Sequence, residues 1–389
     1  MFRSNNKQFA IYRILVLSLC LVYAFVADLS AQEFKAVHDG VEYAELTREI
    51  AGRPVRMNLL RLDLKKVRLD IVHAADAAIG VEKTSVIATH HKAVAAINAG
   101  FFRLDKSAYL GDPAGLFVVD GKLLSEAVPG RISLWINEVR RTTLVRMSRE
   151  SIVGRIRIGD YVRQLTGINR ELKQSDLVLY TPEFGPSTMT NNEGVEIIVD
   201  GNRITSISMR RGNSTIPRNG FVLAAAGEYK DSFAGRRIGE RFSFGTQLQN
   251  PAAPEVNKAN TKLTGDIVSG VPQLIRAGNI AITWEQEHTS KAFVETRHPR
   301  TAVANLKDGK FLMITVDGRS ESSGGIGLYD LADLLLEFGA VDAMNLDGGG
   351  STTMYLDGKV VNHPSDKEGE RKVSDALLVT LRNKKVSRK

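Results

Sequence analysis

Five Asp-Gly pairs, each set between apolar runs, constrain this chain more than any other feature: "AVHDGVEYAEL", "LFVVDGKLLSE", "IIVDGNRITSI", "LKDGKFLMITV" and "MYLDGKVVN". A type I′ hairpin turn puts both central residues at positive φ, and Asp-Gly tolerates that conformation well. Five β-hairpins are therefore expected. Alternation in "RMNLLRLDLKKVRLDIVHA" (56–74) predicts a long strand or strand pair with one buried face. Residues 131–250 read as strands with many turns, and "NPAAPEVNKANTK" (250–262) as a linker or surface loop. Helical patterning is sparse. "TSVIATHHKA" predicts a short helix capped by Thr84 or Ser85 and leading into a buried strand "VAAIN". In "LYDLADLLLEFG", Leu328, Leu331, Leu335 and Phe338 fall at helical spacing, and Gly339 stands where a helix commonly ends. The expected class is α+β (mixed α/β): a strand-rich mixed sheet with a few helices. One strand–helix–strand unit near the C-terminus would carry the site.

The chain ends carry separate signals. Arg3, Lys7 and Arg13 precede an apolar run from Ile14 to Val26, and the sequence turns polar after Ala31. This is the layout of a signal peptide over residues 1–31, with secretion, the periplasm or the cell envelope as destination. The run is shorter than the about 20 residues of a membrane span, so an uncleaved segment would be the sole membrane link. The single cysteine, Cys20, lies inside it, which leaves the remainder without thiol chemistry or disulfides. A net charge of +8 suits anionic partners, but no basic block interleaves with aromatics, and nucleic acid is not expected as a partner. Residues 384–389 read as a solvated basic tail. Between these ends we expect an N-terminal β-rich segment, 32–90, and a main domain, 91–383.

Two aspartate-glycine steps in apolar surroundings lead into small and polar residues rather than a return strand. Asp317 ends the apolar run "KFLMITV" and precedes Gly318, Arg319 and Ser320. Asp347 ends "AVDAMNL" and precedes Gly348, Gly349 and Gly350, then Ser351 and Thr352. Both aspartates close buried-looking strands, where sites of α/β sheets form, and a helix of crossover length joins them. Two strand ends facing one cleft would unite the carboxylates; simple turn aspartates are the plainer alternative. Glycines in "SSGGIG" (322–327, with Ser323 and Gly324) would expose N–H groups at a helix entrance to an anion. "ETRHPRTAVAN" gathers Arg297, His298, Arg300 and Thr301 around Pro299, and guanidiniums grip phosphate or carboxylate through two bonds. Asn98 ends the buried strand of "AAINAGFF" and must be hydrogen-bonded, bracing a turn or meeting a ligand. No HExxH, Walker A, G-x-S-x-G or Cys/His zinc spacing occurs.

Taken together, "AAINAGFF", "LYTPEFGPSTMTNNEGVEIIV", "RNGFVLAAAG", "VSGVPQLIRAG", "RHPRTAVA", "TVDGRSESSGGIGLYDLADLLLEFGAVDAMNLDGGGSTTM" and "VVNHPSDKEGERKVSDALLV" resemble the phosphodiester glycosidase family. The resemblance runs over about residues 95–380. It implies hydrolysis of the anomeric C–O bond of a sugar-1-phosphodiester, releasing free sugar and leaving a phosphomonoester. Asp347 would be the main carboxylate, as nucleophile or base, with Asp317 positioning the sugar, assisting as acid or base, or holding a cation. Arg300, Arg319 and Arg297 would hold the phosphate, and His298, Thr301, Ser323 and Gly324 would also contact the substrate. Asn98, Asn345, Ser351 and Thr352 would meet sugar hydroxyls, and Ser365 with Asp366 would close the rim. Gly348, Gly349 and Gly350 would let substrate approach the backbone. The partner would be a phosphorylated glycan or glycolipid. The chain departs from the family pattern at Gly327, where a hydroxyl residue is usual, and at Val271 and Ala304, where glycine is common. No cofactor is named by the sequence. Asp317, Asp347 and Asp366 are oxygen donors of the kind Ca²⁺ or Mg²⁺ takes, which keeps a metal-dependent phosphodiesterase open. A non-catalytic module binding anionic polysaccharide is the other alternative.

Overall fold

The computed structural model describes residues 34–233, 235–250 and 261–382. The expected signal peptide, the basic tail and most of the expected linker lie outside them. All five Asp-Gly pairs join adjacent antiparallel strands. Only Asp120-Gly121 and Asp357-Gly358 have positive φ at both residues, as a type I′ turn requires. In the other three, the glycine alone is left-handed.

The class expectation is corrected. The described residues are 46% strand and 10% helix, built of small antiparallel sheets, and so mostly β rather than α+β. Among the described residues every paired strand is antiparallel to its neighbour except Gly167–Ile168 beside Leu177–Tyr180. Hairpin turns recur so often that consecutive strands fold back instead of crossing over helices, and the helices stay short. The strand–helix–strand unit does exist: Phe311–Val316, helix Leu328–Glu337, then Ala340–Asn345. Its two strands run the same way but are not neighbours, because Arg300–Leu306 pairs antiparallel with both.

Two sheets position the site. An eight-stranded sheet places Arg53–Leu62, Phe311–Val316, Arg300–Leu306 and Ala340–Asn345 side by side. One of its faces, with Ala302, Ala304, Leu312 and Ile314, packs under Leu328, Leu331 and Leu335 of the helix. The opposite face, with Val303, Phe311 and Met313, packs on a five-stranded sheet through Ile97, Met354, Leu377 and Val379. That sheet orders Met354–Leu356, Ala95–Asn98, Asp375–Leu381 and Val67–His73. Strands buried on both faces carry continuous apolar sequence, which accounts for "KFLMITV". The 56–74 stretch is indeed two strands, but they lie in different sheets. Residues on either side of position 90 thus share both layers. The helix Thr84–His90 forms as expected, with Lys83 rather than Thr84 or Ser85 at its cap. Glu370 accepts from the Ser85 N–H at 2.7 Å in place of a local cap.

Candidate active site

Because Arg300–Leu306 runs between the two crossover strands, its first residue stands at the sheet edge where they end. Arg300 pairs with Val316, next to Asp317, and Ala302 pairs with Asn345, two residues before Asp347. The second sheet brings Asn98 to the same edge, with Ala376 opposite it. The structure therefore gathers Asp317, Arg300, Asp347 and Asn98 from four strand ends.

Asp347 is partly exposed, and its backbone is fixed by its own N–H to Ala99 O at 2.9 Å and by Asn98 Nδ2 to its carbonyl at 2.7 Å. Its surroundings push the carboxyl up to about 6, because burial disfavours the charged form. The Ser351 hydroxyl, the Gly348 N–H, donating to Oδ1 at 2.9 Å, and the charge of Arg371 oppose that rise; buried Asp375 adds to it. Asp317 is 2% exposed, and burial likewise raises its pKa. Its Oδ1 accepts from Asn362 Nδ2 at 3.2 Å and His363 N–H at 3.0 Å. Its Oδ2 has no hydrogen-bond partner among the described residues, with Arg56 Nε at 3.9 Å.

The cations are arranged unequally. Arg300 is 2% exposed, donates from Nη2 to Phe293 O (2.7 Å) and Thr296 O (2.8 Å), and lies over the Phe293 ring. Among the described residues no carboxylate is within ion-pair distance of it. Burial, with the like charge of Arg319, lowers it to about 10. Arg319 is exposed, adopts φ +62, and rests against Gly349 while Nη1 reaches Ser365 Oγ at 3.4 Å. His298 is lowered by burial and by the same two guanidiniums, and its Nδ1 has no partner among the described residues. Arg297 faces Asp330 at 3.7 Å, with Nε and Nη2 buried and unpartnered among the described residues. Arg300 is thus a buried cation held by carbonyls alone, its charge unbalanced by any carboxylate among the described residues.

Several expected ligand contacts are instead braces. Asn98 Oδ1 accepts from Thr301 Oγ1 (2.8 Å) and Thr353 N–H (3.1 Å), so both Asn98 and Thr301 are committed to the scaffold. Asn345 donates to Val271 O (2.7 Å) and Leu346 O (2.8 Å). Ser323 donates to Asp317 O (2.6 Å) and accepts from Arg56 N–H (3.1 Å), while the Gly324 N–H bonds Pro54 O at 2.9 Å. The glycine-rich loop is thus packed against protein backbone and does not offer these groups to an anion. Asp366 holds Arg371 through two bonds, at 2.7 and 2.9 Å. Asp317, Asp347 and Asp366 do not assemble into one metal-ligand group among the described residues.

The triple glycine also has a different reason from the one expected. A Cβ on Gly348 would stand 2.8 Å from Pro299 O, one on Gly349 would stand 3.0 Å from Arg319, and one on Gly350 would strike the Arg371–Asp366 pair. The glycines admit the site's own groups. Ser351 and Thr352 come next with buried hydroxyls: that of Ser351 stands against the Asp347 carboxyl, and that of Thr352 completes no hydrogen bond among the described residues.

Sequence reading missed Asp375, Asn362, Arg371 and Arg56. Asp375 is fully buried, raised by burial, and accepts from the Gly100 N–H at 2.5 Å; a Cβ on Gly100 would press on its carboxylate. The one local signal was its position in "VSDALLV", a charge opening an apolar strand.

Known proteins share both the sequence around this site and the fold that carries it. Residues 193–380 match the profile of the family described as phosphodiester glycosidase. The SPbeta prophage-derived protein YomE of Bacillus subtilis is 44% identical over 92 residues, 24% of this chain and 14% of that one. The N-acetylglucosamine-1-phosphodiester alpha-N-acetylglucosaminidase of Bos taurus is 34% identical over 182 residues, 40% of this chain and 34% of that one. The chain thus spans well under two thirds of either relative. A Synechocystis protein of known structure shares the fold at a TM-score of 0.75 and 22% identity, over 88% of this chain and 62% of that one. Through residues 193–380, which hold Asp317, Asp347, Arg300 and Asp375, the chain is similar to the phosphodiester glycosidase family.

Proposed function

We propose that the chain hydrolyses a sugar-1-phosphodiester at the anomeric carbon, releasing free sugar and leaving a phosphomonoester on the acceptor. The observation that carries this reading is the pairing of an elevated carboxylate, Asp347, with a buried guanidinium, Arg300, that lacks a protein anion. The substrate phosphodiester supplies the missing negative charge between Arg300 and Arg319. As the C1–O bond breaks, its electron pair leaves with the phosphate and positive charge grows on the sugar ring. Asp347 stabilises that charge, attacking C1 or deprotonating the water that does. A phosphate leaving group needs little protonation, and the guanidiniums stabilise it as it departs. The unpartnered Oδ2 of Asp317 and the Thr352 hydroxyl face the sugar in this mechanism, while the Ser351 hydroxyl holds the Asp347 carboxyl. The substrate class is a phosphorylated glycan or glycolipid, met outside the cytoplasm after export by residues 1–31. The family match and the relative acting on N-acetylglucosamine-1-phosphodiesters support the reaction type.

The test incubates the full chain with a panel of sugar-1-phosphodiesters and resolves the products. Free sugar, absent with Asp347→Asn, is the expected result. Sugar-1-phosphate would mean P–O cleavage and would overturn the reading. Binding without turnover would overturn it in favour of a binding module.

A further inference from the structure

Outside the group formed by Asp317, Asp347 and Arg300, three side chains converge that the reaction does not use. The helix Thr84–His90 ends on His90, and His91 is its C-cap. Their rings lie 5.1 Å apart, and His91 Nε2 is 3.1 Å from Asp76 Oδ1. One ligand atom from each of Asp76, His90 and His91 falls within 4.8 Å of the others, the sole such group among the described residues. Asp76 reaches this place from a short turn, Ala74–Asp76, in which both Ala75 and Asp76 adopt left-handed φ, near +55° and +52°. The turn is tied to the fold by Ala74 N–H to Ser374 O at 2.7 Å and Ala75 N–H to Glu82 Oε2 at 2.7 Å.

We propose that Asp76, His90 and His91 bind one transition-metal ion of the Zn²⁺ type, with water completing its coordination. Two imidazoles and one carboxylate form a donor set suited to Zn²⁺, Cu²⁺ or Ni²⁺ and poorly suited to Ca²⁺ or Mg²⁺, which take oxygen. Metal–nitrogen bonds of about 2.0–2.1 Å in a tetrahedron put ligand atoms roughly 3.3 Å apart. The His91–Asp76 pair is already there. His90 is exposed and closes the remaining gap by side-chain rotation. Asp76 and His91 also line a cavity of about 440 Å³ whose walls include Asp120 and Asp266, which gives the ion an aqueous approach under negative charge. The bound ion joins the Ala74–Asp76 turn to the end of the helix and stabilises that corner of the fold.

The test titrates ZnCl₂ into the full chain, prepared without a histidine tag, by calorimetry, and repeats the titration on His91→Gln and Asp76→Asn. One ion per chain is expected in the wild type, with affinity weakened at least about tenfold in each variant. Zinc should also raise the thermal midpoint of the wild type and leave that of His91→Gln unchanged. A wild type that binds no zinc, or variants that bind it as tightly as the wild type, would overturn the proposal. His91 and Asp76 are both exposed on one side, so their substitution leaves the core intact; circular dichroism of each variant checks that the comparison is between folded chains.

Discussion

At Asp347 one residue ties stability to the proposed reaction. Its carboxyl stands at about 6 in the folded chain against an ordinary 3.8, so the folded state holds the proton more tightly than the unfolded one. Its contribution to stability is complete below about pH 4 and is lost as pH rises through 6, where ionising it costs roughly 2–3 kcal/mol. Asp347→Asn should therefore be more stable than wild type at pH 8, with the advantage vanishing near pH 4, while hydrolysis is abolished. Melting curves and rates across that range check both halves, and wild-type kcat/KM should fall on the acid side with an apparent pKa near 6. Arg300→Lys keeps a charge but cannot reach Phe293 O and Thr296 O while also holding an oxyanion. It should lower kcat/KM by about 10–100-fold, the worth of one charge-assisted contact, and a wild-type value would exclude Arg300 from the site. Asp317, Asp347, Arg300 and Arg319 were legible because each sits beside a local signal, a strand end with glycine after it or a proline-bounded arginine cluster. Asp375 was not, since the N–H it holds, on Gly100, is 275 residues away in sequence.

Elements set how tightly these residues are held. The loop after Asp347 could be read from sequence as a place without Cβ atoms, but not what fills the space. Gly348 abuts the backbone of Pro299, whereas Gly350 abuts the side-chain ends of Arg371 and Asp366. Gly348→Ala should thus cost about 1–3 kcal/mol, as overpacking does, and Gly350→Ala less, because an ion pair can swing aside. Denaturant unfolding of both variants measures the difference, and equal costs would contradict this assignment. Asn98 was legible as a buried amide needing partners. Which partners it takes, Asp347, Thr301 and Thr353, depended on three strands meeting, which no local pattern encodes.

Across the whole molecule, hairpins were legible and sheets were not. Asp-Gly specifies a reversal within a few residues, so all five turns could be placed. The lateral order of strands depends on contacts such as Arg53–Leu62 beside Phe311–Val316, far apart in the chain. The helix Leu328–Glu337, read correctly, suggested more α/β character than the fold contains, since it is the longest of three α-helices among the described residues. Because Arg53–Leu62 covers one side of the strand that ends at Asp317, a chain beginning at residue 64 should lose its cooperative unfolding transition. A transition at the full-length midpoint would contradict the shared core.

In the proposed reaction the anomeric C–O bond breaks beside Asp347. Hydrolysis of a sugar-1-phosphodiester in ¹⁸O-enriched water, with mass spectrometry of both products, locates the broken bond. Label in the released sugar and none in the phosphomonoester is the predicted result; label in the phosphate would contradict the account.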